Sequence, residues 1–433
     1  MVRPLLARLR RDRRYVLCLL WLVALFRFVD LQILVVLLEP IKREFGLSDT
    51  QLALLTGLAF ALFYGLLGLP IAWLAERWHR GRLIAVAVTL WSTMTALCGQ
   101  ASGFSSLFLA RMGVGIGEAG AYPPSTSLLA DHFPRRERGL AQGVLASAIP
   151  AGVFVGFLLG SFVSETWGWR AALQVVGLPG IALGALLWFT LHDPRDVPPP
   201  TVAAAVWSSR ALWGECHTLW RQPAYRWVVV AACLFTTGAM GSGVWIPSFF
   251  LRQHGLEPLE TGRWMALLYG GGGLLGALGG GWLAARSDRD GSACAFARLC
   301  QYSLLAILPL LPLLFLTDSA AAALAGLALM TILMHMNSGP VLTLLQVTGG
   351  TGRRALAHAL SVLVSNVIAL PLGPLLVAIP SDAWSPTAGP AALGWSIGLL
   401  LLGCWGGAAW CFGRAARLLT ANATTAMTLL HSG

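Results

Sequence analysis

Charge is scarce in this sequence. Only 11% of the 433 residues are Asp, Glu, Lys or Arg, against 56% hydrophobic, and the mean hydropathy is +0.70. That scarcity excludes a soluble globular protein, which needs far more charge to cover its surface, so the apolar excess has to face lipid. Cysteine offers no framework either. None of the eight lies clearly in an external loop and none forms a CxxC pair, so neither a disulfide scaffold nor a metal site follows. Of the eight histidines only His335 falls well inside an apolar stretch, His358 being the fourth residue of its run. An intramembrane enzyme lacks support without an HExxH or GxSxG signature, and a primary pump lacks it without a GxxxxGK[ST] loop. No cofactor is expected.

What the sequence has in abundance is apolar runs long enough to cross a bilayer, which takes about 20 helical residues. Six lie near 15–38, 51–75, 83–101, 105–129, 139–163 and 171–191, and six more near 227–250, 262–284, 299–316, 320–347, 355–379 and 391–413. Their glycines and prolines are compatible with membrane helices. The predicted architecture is an all-α membrane protein of twelve transmembrane helices.

The net charge of +11 raises nucleic acid as a partner, but its placement answers otherwise. With the N-terminus inside, 23 of the 30 Lys and Arg residues fall in cytoplasmic segments and five in external loops. The opening "MVRPLLARLRRDRRY" carries six arginines, whereas the loop "QASGFSS" is uncharged. This is the positive-inside asymmetry. It predicts an integral membrane protein with both termini in the cytoplasm, with some attraction to anionic lipid and no nucleic-acid role. The first apolar run is about 24 residues long and lacks a small-residue cleavage site, so it reads as a span rather than a cleaved signal.

The chain divides into a basic tail (1–14), a six-helix half (15–191), a cytoplasmic linker (192–226), a second six-helix half (227–413) and a C-terminal tail (414–433). The linker opens "HDPRDVPPPT", proline-rich and charged. The halves echo one another. "WLAER" (Trp73 to Arg77) follows the second run and "WLAAR" (Trp282 to Arg286) follows the eighth, 209 residues later. Matching loops in the same orientation imply a parallel duplication, the plan by which transporters rock two halves about a midplane site.

The loop "GLPIAWLAERWHRGR" is similar to the glycine–acid–arginine loop between helices 2 and 3 of the major facilitator superfamily, with Glu76 where Asp is usual and Ala72 where Gly is usual. "ARMGVGIGEAG" resembles that superfamily's helix-4 motif. The run "LEPIKREFGLSDTQLALLTGLAFALFYGLLGLPIAW", with "GIGEAG" and "LADHFPRRERG", most resembles the spinster branch, whose members carry lysolipids or sphingoid phosphates. The resemblance implies a transporter rather than an enzyme, acting as a monomer on a small amphipathic substrate. It also implies a cytoplasmic gate built on Glu76, Arg77 and Arg138. One departure stands out. Spinster-like proteins usually follow the helix-1 aspartate with arginine, whereas Asp30 is followed by Leu31 and the arginine comes earlier, at Arg27.

Of the 19 acids only Asp30 and Glu118 lie within apolar runs, and of the bases only Arg27 and Arg111 lie away from a run's end, Arg263 being the second residue of its own. A charge at mid-bilayer costs roughly 3 kcal/mol or more, so such groups pair or face a cavity. Arg27 and Asp30 are three apart and share a helix face. Arg111 and Glu118 share a face too but stand about 10.5 Å apart along it, so each needs a partner on another helix or in a ligand. Two readings are open: a static ion-pair lock, or a set in which Asp30 and Glu118 couple to protons while Arg111 and Arg27 receive an anionic substrate. Gly113, Gly115 and Gly117 either remove bulk beside Glu118 or let helices approach closely.

The second half offers softer candidates, His335, Asn337 and Asn366, each readable as a substrate contact or as a helix–helix hydrogen-bond partner. Trp245 and Tyr269 are readable as cavity lining or as interfacial anchors. In the fifth run, Gly152, Gly156 and Gly160 form a small-residue stripe expected to be the sliding contact between the halves. The expected function is proton-coupled transport of an amphipathic anion such as a lysolipid. A proton-driven exporter of drugs or metabolites and a non-transporting sensor are the alternatives.

Overall fold

The computed structural model describes residues 12–134, 136–194, 209–287, 293–350 and 353–431. Among them there is helix and no strand. In chain order the principal helices are α1 (Arg13–Phe45), α2 (Ala59–Arg77), α3 (Arg80–Cys98), α4 (Phe104–Glu118), α5 (Tyr122–His132) and α6 (Arg138–Thr190). They continue with α7 (Ser209–Arg221), α8 (Pro223–Gln253), α9 (Pro258–Met265), α10 (Gly273–Ser287), α11 (Ala293–Ile307) and α12 (Leu310–Phe315). The last four are α13 (Ala320–His335), α14 (Ser338–Gly349), α15 (Arg354–Ala388) and α16 (Ala391–His431). Among the described residues, eight helical stretches are long and apolar enough to cross a membrane. The remaining crossings of the twelve-helix plan are merged or interrupted. The 53 residues of α6, for example, hold two crossings joined at Gly168, whose φ of 85° suits a residue without a Cβ.

The chain forms two compact units. One comprises Met1–Val202 with Leu256–Gly270, the other Ala203–Gly255 with Gly271–Gly433. In the first, α1 and α3 both pack along α6, and α4 lies against α2 and α3. Its core includes Leu20, Ile84, Val88, Trp91, Val114, Leu128 and Leu187. In the second, α8 packs on α15 and α16, and α11 on α16.

The glycine stripe of the fifth apolar run does not do what its spacing suggests. A Cβ on Gly152 would stand 2.6 Å from that of Phe28, and one on Gly156 2.8 Å from that of Gln32. Gly160 meets Ile33 in the same way, at 2.9 Å. The stripe is therefore the seam between α6 and α1 inside the first unit, not a sliding surface between halves. Its function is close approach, which sets the height of α1 and hence of its charged residues. Gly152→Leu is expected to cost about 1–3 kcal/mol by overpacking. A fall in the thermal unfolding midpoint of the purified protein measures it.

The two six-helix halves of the sequence carry the same two interruptions. A π-helical turn occupies Leu54–Leu58 ahead of α2, and another occupies Ala266–Gly272 ahead of α10. The fourth apolar run breaks between Glu118 and Tyr122, and the tenth between His335 and Ser338. Irregular backbone at corresponding positions of two repeats marks where membrane transporters build their sites.

Candidate functional site

The four intramembrane charges come together in the first unit, and they pair crosswise between α1 and α4. Arg27 Nε donates to Glu118 Oε2 at 2.8 Å. Arg111 Nη1 stands 3.4 Å from Asp30 Oδ2, and Thr95 on α3 donates its hydroxyl proton to Asp30 Oδ1 at 2.5 Å. The register follows from chain direction. The two helices run antiparallel, so the upper base of one meets the upper acid of the other. The sequence spacing had suggested that Arg27 and Asp30 share a face; they do, and both turn toward α4 rather than to each other.

Packing holds α4 in place for this. A Cβ on Gly115 would stand 2.6 Å from the Phe60 carbonyl oxygen, and one on Gly117 2.7 Å from the Trp91 amide nitrogen. A Cβ on Gly113 would meet Met94 at 2.6 Å. All three glycines serve close helix approach, and no space is left beside Glu118 on their account. Aromatic faces complete the surround. The Arg27 guanidinium carbon lies 5.3 Å from the ring centre of Tyr64, 5.5 Å from Phe28 and 5.9 Å from Tyr122. That of Arg111 lies 5.8 Å from Phe60, which stacks on Tyr64. Cation–π contacts of this kind hold a guanidinium where water is scarce.

The set is incompletely satisfied. Asp30, Arg111 and Glu118 are each no more than 2% exposed, yet Arg111 Nε and Glu118 Oε1 have no hydrogen-bond partner. A buried polar atom left unpaired costs on the order of 1–3 kcal/mol. The two pairs also differ in strength. At 2.8 Å the Arg27–Glu118 contact is a full charge-assisted hydrogen bond, whereas 3.4 Å lies beyond the usual N–H···O range. Arg111 is thus the looser of the two cations and carries an unused donor.

The second-half candidates are mostly structural partners. Asn337 is buried, its Oδ1 accepts from Ser303 Oγ at 2.9 Å, and its amide nitrogen donates to the Leu333 and Met334 carbonyls. It ties the break between α13 and α14 to α11. His335 Nδ1 lies 2.8 Å from the Thr331 carbonyl, and a Cβ on Gly273 would stand 3.3 Å from His335 Nε2. Asn366 is half-buried on α15. Trp245 is fully buried and donates to the Pro374 carbonyl at 3.0 Å, so it is core rather than an interfacial anchor. Tyr269 stacks on Phe157 within the first unit.

Of the gate candidates, the side chain of Glu76 lies outside the described residues. Arg77 ends α2 with its side chain exposed, and Arg138 Nε donates to the Phe133 carbonyl at 3.0 Å. The buried arginine at this end is one the sequence did not single out. Arg80 binds Asp193 through Nε (3.0 Å), Nη2 (2.6 Å) and its own backbone N–H (2.9 Å). It also pairs with Asp131 at 2.7 Å and donates to Ser127 at 2.9 Å. The start of α3, the end of α5 and the start of the linker are thereby clamped by one guanidinium. The available signal was Arg80 itself, three residues after Arg77 in "ERWHRGR", with acids in "LADHF" and "HDPRD". Removing one partner of a buried pair typically costs about 3–5 kcal/mol. Asp193→Asn, with Asp131 still in place, is expected near the lower end of that range, read from thermal unfolding in detergent.

Comparison with known proteins agrees with this picture. The family model described as Major Facilitator Superfamily matches residues 20–374. An MFS-type efflux pump of Mycolicibacterium smegmatis is 30% identical over 381 residues, covering 88% of this chain and 87% of its own. Protein spinster homolog 1 of Xenopus tropicalis is 26% identical over 399 residues, covering 87% and 74%. Among solved structures, a bacterial homolog of the human lysosomal transporter Spinster, in an inward-facing and unoccupied conformation, superposes with a TM-score of 0.82 at 26% identity. That match covers 94% of this chain and 98% of the other. The relatives are transporters, not enzymes. A twelve-helix fold with paired charges on its first and fourth crossings, and a family match over most of its length, assign the chain to the major facilitator superfamily, with its likeness there to the spinster branch.

Proposed function

We propose that the protein is a proton-coupled secondary transporter of an amphipathic anion, such as a lysolipid or sphingoid phosphate, working by alternating access. The observation that carries this reading is the crossed, incompletely satisfied charge set. Two bases and two acids in a buried site sum to zero charge. A proton added to Asp30 or Glu118 leaves one guanidinium in excess, and a buried excess charge is costly unless an anion arrives to match it. Proton binding and anion binding are thus linked by charge neutrality alone. Arg111, the looser cation, is the anchor for the anion, with Arg27 as the second. Among the relatives are a probable L-galactonate transporter of Escherichia coli and a gallate transporter of Pseudomonas putida, whose named substrates are acids and so favour an anionic cargo.

The similarity to an efflux pump favours a second reading, a proton-driven exporter of hydrophobic compounds. Competition separates the two. If the protein in proteoliposomes carries lysophosphatidylglycerol, anionic lysolipids compete and tetraphenylphosphonium does not. Competition by the lipophilic cation alone makes it a drug exporter. The cytoplasmic location of both termini and the gate role of Glu76, Arg77 and Arg138 belong to the same proposal. The gate is tested by cysteine-probe accessibility on the linker side, which Arg77→Ala should change.

A further inference from the structure

The segment read from the sequence as a polar linker contains the helix α7, and its two faces are unlike. At about 100° per residue, positions 213, 217 and 220 fall within roughly 60° of one another, while 215 and 219 lie on the opposite side. That opposite side is engaged. Leu219 is fully buried, and Glu215 pairs with Arg353 at 2.5 Å within the second unit. The other side is open: Trp213 is 75% exposed, Trp220 is 42% exposed, and His217 lies between them, also exposed. Two large indoles on one stripe of a short helix are more apolar surface than an isolated water-facing helix normally shows.

We propose that α7 is an in-plane membrane anchor whose Trp213–His217–Trp220 stripe docks on the anionic phospholipid surface of the leaflet on the linker's side. Two observations choose this occupant. First, the surface is continuous with the bilayer. Gln222 alone separates α7 from α8, a helix long and apolar enough to cross the membrane, so the stripe lies at headgroup height. Indole rings concentrate at that height because one edge is apolar and the N–H is wet. Second, the charges fit. Arg221, next in the chain to Trp220, is exposed, as is Arg226 at the start of α8, and the one acid of α7, Glu215, is turned away and paired. An amphipathic helix with aromatic and basic residues on its outer side is the pattern of interfacial binding to anionic lipid.

The test uses the full-length protein in nanodiscs of phosphatidylcholine, alone or with phosphatidylglycerol. A nitroxide is placed by His217→Cys in a background without the native cysteines. Electron paramagnetic resonance then compares its collisions with oxygen and with a water-soluble nickel chelate. Lipid docking gives oxygen collisions in excess of nickel, more so with phosphatidylglycerol. Trp213→Ala should raise nickel accessibility, and Arg221→Gln should raise it about fivefold in the anionic discs only. Nickel accessibility that is high in both discs and indifferent to both substitutions overturns the proposal and leaves the stripe for a soluble protein partner. Hydrogen exchange of residues 209–221 in the unsubstituted protein gives an independent reading. Slower exchange in the anionic discs supports docking, and equal exchange in both contradicts it.

Discussion

Glu118→Gln is expected to abolish concentrative transport while leaving the protein folded. One proton moving with one monoanion carries no net charge, so the membrane potential adds nothing, and one pH unit supplies about 1.4 kcal/mol, enough for roughly tenfold accumulation at one proton per substrate. If Glu118 is the group that exchanges that proton, its amide isostere leaves uptake unable to exceed equilibrium, so the whole tenfold is lost. Exchange of labelled for unlabelled substrate needs no net proton movement and continues. Gln keeps an acceptor for Arg27 Nε, now 2.8 Å from Glu118 Oε2, so the fold loses one charge-assisted hydrogen bond and no packing. The measurement is uptake into proteoliposomes under an imposed gradient, beside counterflow without one. Accumulation by Glu118→Gln above the equilibrium ratio removes Glu118 from the coupling.

The second large effect is on affinity, through Arg111. Lysine keeps the charge but loses the planar fork that meets a phosphate or carboxylate with two parallel donors. Arg111→Lys should weaken binding of lysophosphatidylglycerol at least about tenfold, corresponding to about 1.4 kcal/mol. Arg111→Ala goes further, because Asp30 then keeps only Thr95 as a neighbouring donor. A buried carboxylate without its cation takes up a proton and holds it, so binding and coupling fail together. Affinity measured for both variants by isothermal titration decides the matter. A cationic or neutral cargo predicts Arg111→Lys close to wild type.

Much of this site is legible in the sequence. Arg27, Asp30, Arg111 and Glu118 stand out because charge inside an apolar run is expensive and therefore rare. Their pairing was not legible. Spacing along one helix says which side chains share a face, but the partner across the gap depends on the register of α1 against α4. The height of α4 is set by Gly115 and Gly117 meeting Phe60 on α2 and Trp91 on α3, and that of α1 by the glycines of α6. The same limit explains the glycine stripe of α6, whose small-residue spacing signals close approach without naming the helix approached. Arg80 escaped notice because its partners lie in polar segments far apart in sequence, where charges are ordinary. For Asn337 the sequence leaves a substrate contact and a helix–helix partner both open, and only the fold supplies Ser303. The helix α7 was hidden by the prolines and charges ahead of it, although Trp213, His217 and Trp220 carry a helical period.

The central claim is that proton and substrate anion exchange across one buried charge set. Its most direct test is substrate-driven proton movement. Proteoliposomes holding a pH-sensitive dye, with no imposed gradient, are exposed to lysophosphatidylglycerol, and the internal pH is followed together with lysolipid uptake. The expected result is a pH change that tracks uptake in the wild type and vanishes in Glu118→Gln while exchange persists. Lysolipid uptake without any pH change in the wild type, or an undiminished pH change in Glu118→Gln, would contradict it.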